Sequence, residues 1–144
     1  MDDMVGVWQL RSRDNNFSDF LQCRGVSWFL RTLLTSSQPD MEYKLAADRG
    51  TFTKVTRSMF RTSEYTMPTE GEFCPLTTLS GVPEVGRITE TSGGNVVLTM
   101  SYTDSGEDAA TIIHRVEDGK LHVTLKCKDI VCRSVYDKKT DANG

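Results

Sequence analysis

From Pro39 onward the chain breaks into short β-forming stretches separated by turn clusters, and this succession limits its fold more than any other feature. Pro68-Thr69-Glu70-Gly71, Ser92-Gly93-Gly94-Asn95, Asp104-Ser105-Gly106 and Glu117-Asp118-Gly119 are rich in residues that accept tight-turn geometry. Between and around them lie Val85–Thr91, Val96–Thr103, Ala109–Val116, Leu121–Lys126 and Ile130–Lys138. Earlier, Met41, Tyr43 and Leu45 alternate, and Thr51–Phe60 is dense in Thr, Val and Phe. Such residues suit a pleated, half-buried surface. Regular short strands with turns at this spacing predict an up-and-down antiparallel meander. An open meander leaves adhesive edges, and closing it into a barrel removes them. Cys74–Pro83, with two prolines and several small residues, reads as a longer loop.

Ahead of the meander, Met4, Gly6, Trp8 and Leu10 share one side of a first strand, with Trp8 as core. Asp14-Asn15-Asn16 is a helix-start cluster in which Asn16 reads as a capping residue. Phe17, Phe20, Leu21 and Arg24 then recur at helical spacing, and Gly25 ends the helix by accepting positive φ. Ser27 caps a second helix carrying Trp28, Phe29, Leu30, Leu33 and Leu34; packing of Trp28 and Phe29 on the barrel is favoured over membrane contact. Two short helices cannot build a core of their own, so their natural place is over one open end of the barrel. A barrel of about ten strands is too wide for its side chains to fill. The expected architecture is therefore all-β: a ten-stranded barrel capped by a helix-turn-helix lid, enclosing a cavity for a small apolar molecule. At 144 residues the chain suits one domain, residues 1–139, followed by a short flexible tail, 140–144.

Charge and cysteine content narrow the function. A net charge of -3 disfavours tracking phosphate backbones, and no apolar run is long enough to cross a bilayer. With no leader at the N-terminus, Cys23, Cys74, Cys127 and Cys132 read as four free thiols in a reducing compartment. His114, His122, Cys127 and Cys132 lack metal-site spacing, and strand alternation sends the two histidines to opposite faces. No phosphate loop or nucleophile elbow is present. The expectation is no enzyme, no catalytic residue, no metal and no cofactor.

Gly6-x-Trp8, Asn16-Phe17 and Gly25-Val26-Ser27-Trp28 with Arg31 resemble the opening of the intracellular lipid-binding proteins, the fatty-acid-binding and cellular retinoid-binding type. The likeness continues through Ser58-Met59-Phe60-Arg61, Gly71-Glu72-Phe73, Asp118-Gly119-Lys120-Leu121, Asp129-Ile130-Val131-Cys132 and Val135-Tyr136. The loops Cys74–Glu84 and Asp104–Asp108 are longer than usual for the family. The resemblance implies a β-clam and a monomeric cytoplasmic carrier, with nuclear residence a further option. Its partner is a hydrophobic small molecule: a fatty acid, a retinoid or a neutral lipid.

It also implies a carboxylate site of two inward arginines and a tyrosine. Here His114 and Ser134 stand at the two arginine positions, and Tyr136 is retained. Arg115 and Arg133 lie one residue away, where alternation turns them to solvent unless a bulge near Cys132 swings Arg133 inward. The expected headgroup site is thus weaker and more neutral, formed by Tyr136, Ser134, His114 and Cys132. Phe17, Phe60, Ile112, Val123 and Leu125 are the expected tail contacts, and Arg133 joins the headgroup site if the bulge turns it inward. Two other functions fit the same residues: an extracellular lipocalin-type carrier, and a barrel without ligand that serves as a protein-interaction module.

Overall fold

A computed structural model describes residues 1–76 and 78–139; the expected tail at 140–144 lies outside the described residues. The strands are β1 (Gly6–Arg13), β2 (Asp40–Leu45), β3 (Thr51–Arg57), β4 (Thr62–Pro68), β5 (Cys74–Leu76), β6 (Glu84–Glu90), β7 (Asn95–Tyr102), β8 (Asp108–Glu117), β9 (Lys120–Cys127) and β10 (Ile130–Lys138). Helices α1 (Phe17–Cys23) and α2 (Trp28–Thr35) follow β1. The hydrogen-bonded order β4-β3-β2-β1-β10-β9-β8-β7-β6-β5 is that of a meander closed by pairing β1 with β10. β5 is three residues of the stretch read as loop, paired from Cys74↔Gly86 to Leu76↔Glu84.

β4 and β5 are the two ends of the ladder, so the barrel is nearly rather than fully closed. Side chains seal this seam. The Cys74 thiol donates to the Thr66 carbonyl at 3.2 Å. Gly86 lets Leu76 and Met67 meet, since a Cβ there would lie 2.7 Å from one and 2.9 Å from the other.

Trp8, Tyr43, Phe52, Met67, Leu98 and Leu121 are fully buried and pack one end of the barrel solid. A single helical turn, Asp2–Met4, closes that end, and the Trp8 indole N–H donates to the Met4 carbonyl at 2.8 Å. At the other end α1 inserts Phe20 and Leu21, which pack with Val26, Cys127 and Cys132. Asn16 does not cap α1 as expected. Its amide donates to the Val131 carbonyl at 2.6 Å and ties the start of the lid to β10. Ser27 does cap α2, accepting from the Leu30 N–H at 3.4 Å.

Two sequence expectations are corrected here. Cys23 and Cys127 are joined in a disulfide, with Cα atoms 6.2 Å apart, while Cys74 and Cys132 are free. The end of α1 lies against the β9–β10 turn, a proximity that residues 104 apart in sequence do not advertise. The second correction concerns α2, which buries no residue. Trp28 and Phe29 are 70% and 65% exposed, because only Leu30 and Leu34 face the barrel side. Among the described residues no helix is long and apolar enough to cross a membrane.

Candidate functional site

Between the lid and the packed end lies a mostly apolar cavity of about 250 Å³. Six of the residues expected from the sequence line it: Phe17, Ile112, Val123, Leu125, Ser134 and Tyr136. Phe20, Leu21, Met41 and Thr56 complete much of the wall.

The other four expected residues sit elsewhere. Arg133 is exposed on the outer face. The β9–β10 register runs unbroken through Cys132↔Leu125 and Arg133↔Thr124, so no bulge reverses its direction. Its backbone N–H donates to the Asp14 carboxylate at 2.9 Å, which fixes this stretch of β10 further. Phe60 is 49% exposed in the β3–β4 turn; its neighbours Ser58 and Arg61 reach the cavity instead. Cys132 is buried, but it packs under α1 with Phe20 and Cys127. His114 is fully buried one pleat below the cavity wall.

The cavity nevertheless holds a guanidinium. Arg13, at the end of β1, lines it directly opposite Ser134 in the β1–β10 pairing. Trp8 and Leu10 face inward, so strict alternation would turn Ser12 in and Arg13 out. A register shift between Leu10 and Ser12 inverts the parity, leaving Arg11 and Ser12 exposed and Arg13 inside. The Arg13 guanidinium carbon stands 3.9 Å above the Phe17 ring, and Nη2 donates to the Thr35 and Ser37 carbonyls at 3.4 Å each. Burial lowers its pKa from the ordinary arginine value, and the guanidinium remains charged. Burial raises the Tyr136 phenol to about 12, so at neutral pH it is a hydroxyl donor. Arg13, Ser134 and Tyr136 therefore bring a cation and two hydroxyls to one wall. Sequence reasoning missed Arg13 because it searched β8 and β10; nothing in residues 10–13 marks the bulge.

One layer deeper lies a second polar group, also missed. Lys54 is 4% exposed, and among the described residues its Nζ has a single hydrogen-bond partner, His114 Nε2 at 3.3 Å. His114 Nδ1 lies 3.0 Å from the Val96 carbonyl. Nδ1 must carry the proton to donate there, which leaves Nε2 as acceptor for the lysine. Burial, reinforced by the Lys54 charge, drives the His114 pKa well below its usual value, so the ring is neutral. Burial also brings Lys54 down to about 8. Tyr43 packs edge-on to His114 with ring centres 5.4 Å apart, and its buried hydroxyl has no hydrogen-bond partner among the described residues.

A smaller lobe of about 190 Å³ shares Phe20, Leu21, Leu79 and Ile112 with the main cavity. Its wall carries the ion pair Arg24–Glu84, two hydrogen bonds at 2.8 and 3.0 Å with the carboxylate buried. Each ion satisfies the other in this fork geometry, so neither is free for a ligand without breaking the pair.

No protein-family model matches the chain. It is 28% identical over 136 residues to sodium/calcium exchanger regulatory protein 1 of Doryteuthis pealeii, covering 94% of this chain and 96% of that one. It is 29% identical over 136 residues to fatty acid-binding protein 5 of Rattus norvegicus, covering 94% and 95%. Among solved structures, the REP1-NXSQ fatty acid transporter superposes with a TM-score of 0.85 at 24% identity, over 98% of this chain and 99% of that one. The ten-stranded clam and the two-helix lid after β1 are the fold of that transporter, and the chain is similar end to end to fatty acid-binding protein 5.

Proposed function

We propose that the protein is a carrier for a long-chain fatty acid, held in the cavity beneath the lid with its carboxylate against Arg13, Ser134 and Tyr136. The observation that carries this reading is the inward guanidinium of Arg13 opposite Ser134. An ionised carboxylate in a low-dielectric cavity needs a charge partner and hydrogen bonds. Arg13 offers the charge from the neighbouring strand, and Ser134 and Tyr136 offer hydroxyls. The expectation of a more neutral site rested on positions 114 and 134 alone; Arg13 shifts the preference from a neutral lipid or retinoid to an acid. The apolar wall supplies the rest, since each buried methylene contributes roughly 0.8 kcal/mol before ordering costs. Ten strands rather than the eight of a lipocalin argue against the lipocalin-type alternative. Exposed Trp28 and Phe29 on the lid suit transient membrane contact during delivery.

The test compares hexadecanoic acid with hexadecanol by titration calorimetry. Losing a hydrogen bond to a charged group costs about 1.5–3 kcal/mol, so R13A should weaken the acid about 10- to 100-fold and leave the alcohol almost unchanged. Equal effects on acid and alcohol, or none on the acid, would remove Arg13 from the headgroup site.

A further inference from the structure

Among the ties that hold the helical hairpin to the barrel, one differs in kind from the rest. The Asn16 amide bonds the Val131 carbonyl at the start of α1, Arg24 grips Glu84 just beyond its end, and Arg13 reaches the Thr35 and Ser37 carbonyls at the end of α2. Leu30 and Leu34 add apolar contact, although α2 buries no residue. Hydrogen bonds, ion pairs and partly exposed contacts of this kind open and re-form in local fluctuations. The Cys23–Cys127 disulfide does not open on that timescale. It therefore sets how far the end of α1 can rise.

The position of that bond matters because α1 roofs the ligand space. Phe17, Phe20 and Leu21 line the main cavity, and Phe20 and Leu21 also line the smaller lobe. The two sulfurs differ in access. Cys127 is 2% exposed and packs beneath α1 with Phe20 and Leu21. Cys23 is half-buried and lines an open surface cleft with Gln22, Lys128 and Asp129. A thiol arriving from solvent meets the Cys23 sulfur first. The free cysteines do not compete for it, since Cys74 sits at the β4–β5 seam and Cys132 is buried.

We infer that Cys23–Cys127 is a thiol-exchange site that governs the lid: the closed bond holds the carrier in a slow-releasing state, and a dithiol reductant entering at Cys23 converts it to a fast-releasing one. The thiolate of the dithiol attacks the Cys23 sulfur, and the electron pair of the broken S–S bond goes to Cys127, which takes up a proton. The second thiol then attacks the dithiol's own sulfur in the mixed disulfide, closes a cyclic disulfide and frees Cys23 as a thiol. The protein bond is reduced and the dithiol oxidised by the same electron pair, and a disulfide oxidant reverses the sequence. The switch rests on the assignment of the cavity as a fatty-acid site.

The experiment loads the protein with a fluorescent anthroyloxy-hexadecanoic acid and follows its transfer to excess phosphatidylcholine vesicles by stopped flow, with and without dithiothreitol. Circular dichroism first establishes whether both states are folded. Release should be about tenfold faster after reduction, with a smaller change in equilibrium affinity. C23S and C127S should release at the reduced rate and ignore dithiothreitol, while C74S keeps the wild-type response. A brief exposure to glutathione, a monothiol, followed by acid quenching and peptide mass spectrometry should place the mixed disulfide on Cys23. Equal release rates in the two folded states, or unfolding on reduction, overturn the switch and leave the Arg13 assignment standing. A mixed disulfide on Cys127 overturns the entry at Cys23. Failure of oxidised and reduced protein alike to bind the acid overturns the carrier assignment, and the switch falls with it.

Discussion

Reducing the Cys23–Cys127 disulfide should lower the unfolding free energy by about 4 kcal/mol. The bond closes a chain segment spanning 104 positions, so in the unfolded state it forbids a large set of conformations that the reduced chain regains. Loop-closure entropy grows only with the logarithm of length, yet for loops of this size it approaches the upper end of what one cross-link delivers. Against a total of about 5–15 kcal/mol for a single domain, the loss is large. Urea denaturation at pH 7 with and without a phosphine reductant measures it, and C23S and C127S should each reproduce the reduced value. Reductant should then have no further effect on either variant, since Cys74 and Cys132 are unpaired in the native protein. A second readout concerns the lid. The bond fixes the last residue of α1 to the last residue of β9. Amides of residues 17–23 should lose exchange protection on reduction more than those of β7 and β8. A reductant effect below about 1 kcal/mol would mean that this bridge is not a major constraint on the chain.

The parts of this fold legible in the sequence are those that depend on local chemistry. Turn clusters such as Glu117-Asp118-Gly119 punctuate the strands where expected, and Asp118 and Gly119 do adopt positive φ there, at 54° and 74°. Period-two alternation placed Ile112, His114, Ser134 and Tyr136 inside and Arg115 and Arg133 outside, because β8, β9 and β10 pair without interruption in that region. The same rule failed on β1. One extra residue between Leu10 and Ser12 is invisible to a pattern argument, yet it decides whether Arg13 or Ser12 faces the ligand. Alternation does put Lys54 inside, in line with Phe52 and Thr56. An interior lysine without a carboxylate partner is rare, so alternation by itself does not mark Lys54 as a buried residue. The disulfide and the depth of His114 are tertiary facts. Each depends on how far elements distant in sequence approach, which no spacing within the chain encodes. The exposed apolar residues of α2 were misread for a related reason: Phe29, Leu30, Leu33 and Leu34 form one broad apolar arc, with Trp28 beside Thr32 and Thr35, and periodicity does not say which part of that arc meets the barrel.

The unpaired lysine also has a thermodynamic signature. Burial holds Lys54 at about 8 in the folded protein, against an ordinary value of 10.5. Below pH 8 the amine is charged in both states, and the folded state bears the full desolvation cost. Between pH 8 and 10.5 the unfolded chain binds the extra proton, so stability must rise with pH across that window. Above it the amine is neutral in both states and the cost is gone. The gain amounts to about 3 kcal/mol. Other lysines and tyrosines titrate over the same range, so the quantity to measure is a difference. Unfolding free energies of wild type and K54M, taken from urea curves at intervals from pH 7 to 10.5, should diverge in favour of the wild type by that amount. Parallel curves would mean that Lys54 is not held in a desolvated, unpaired state.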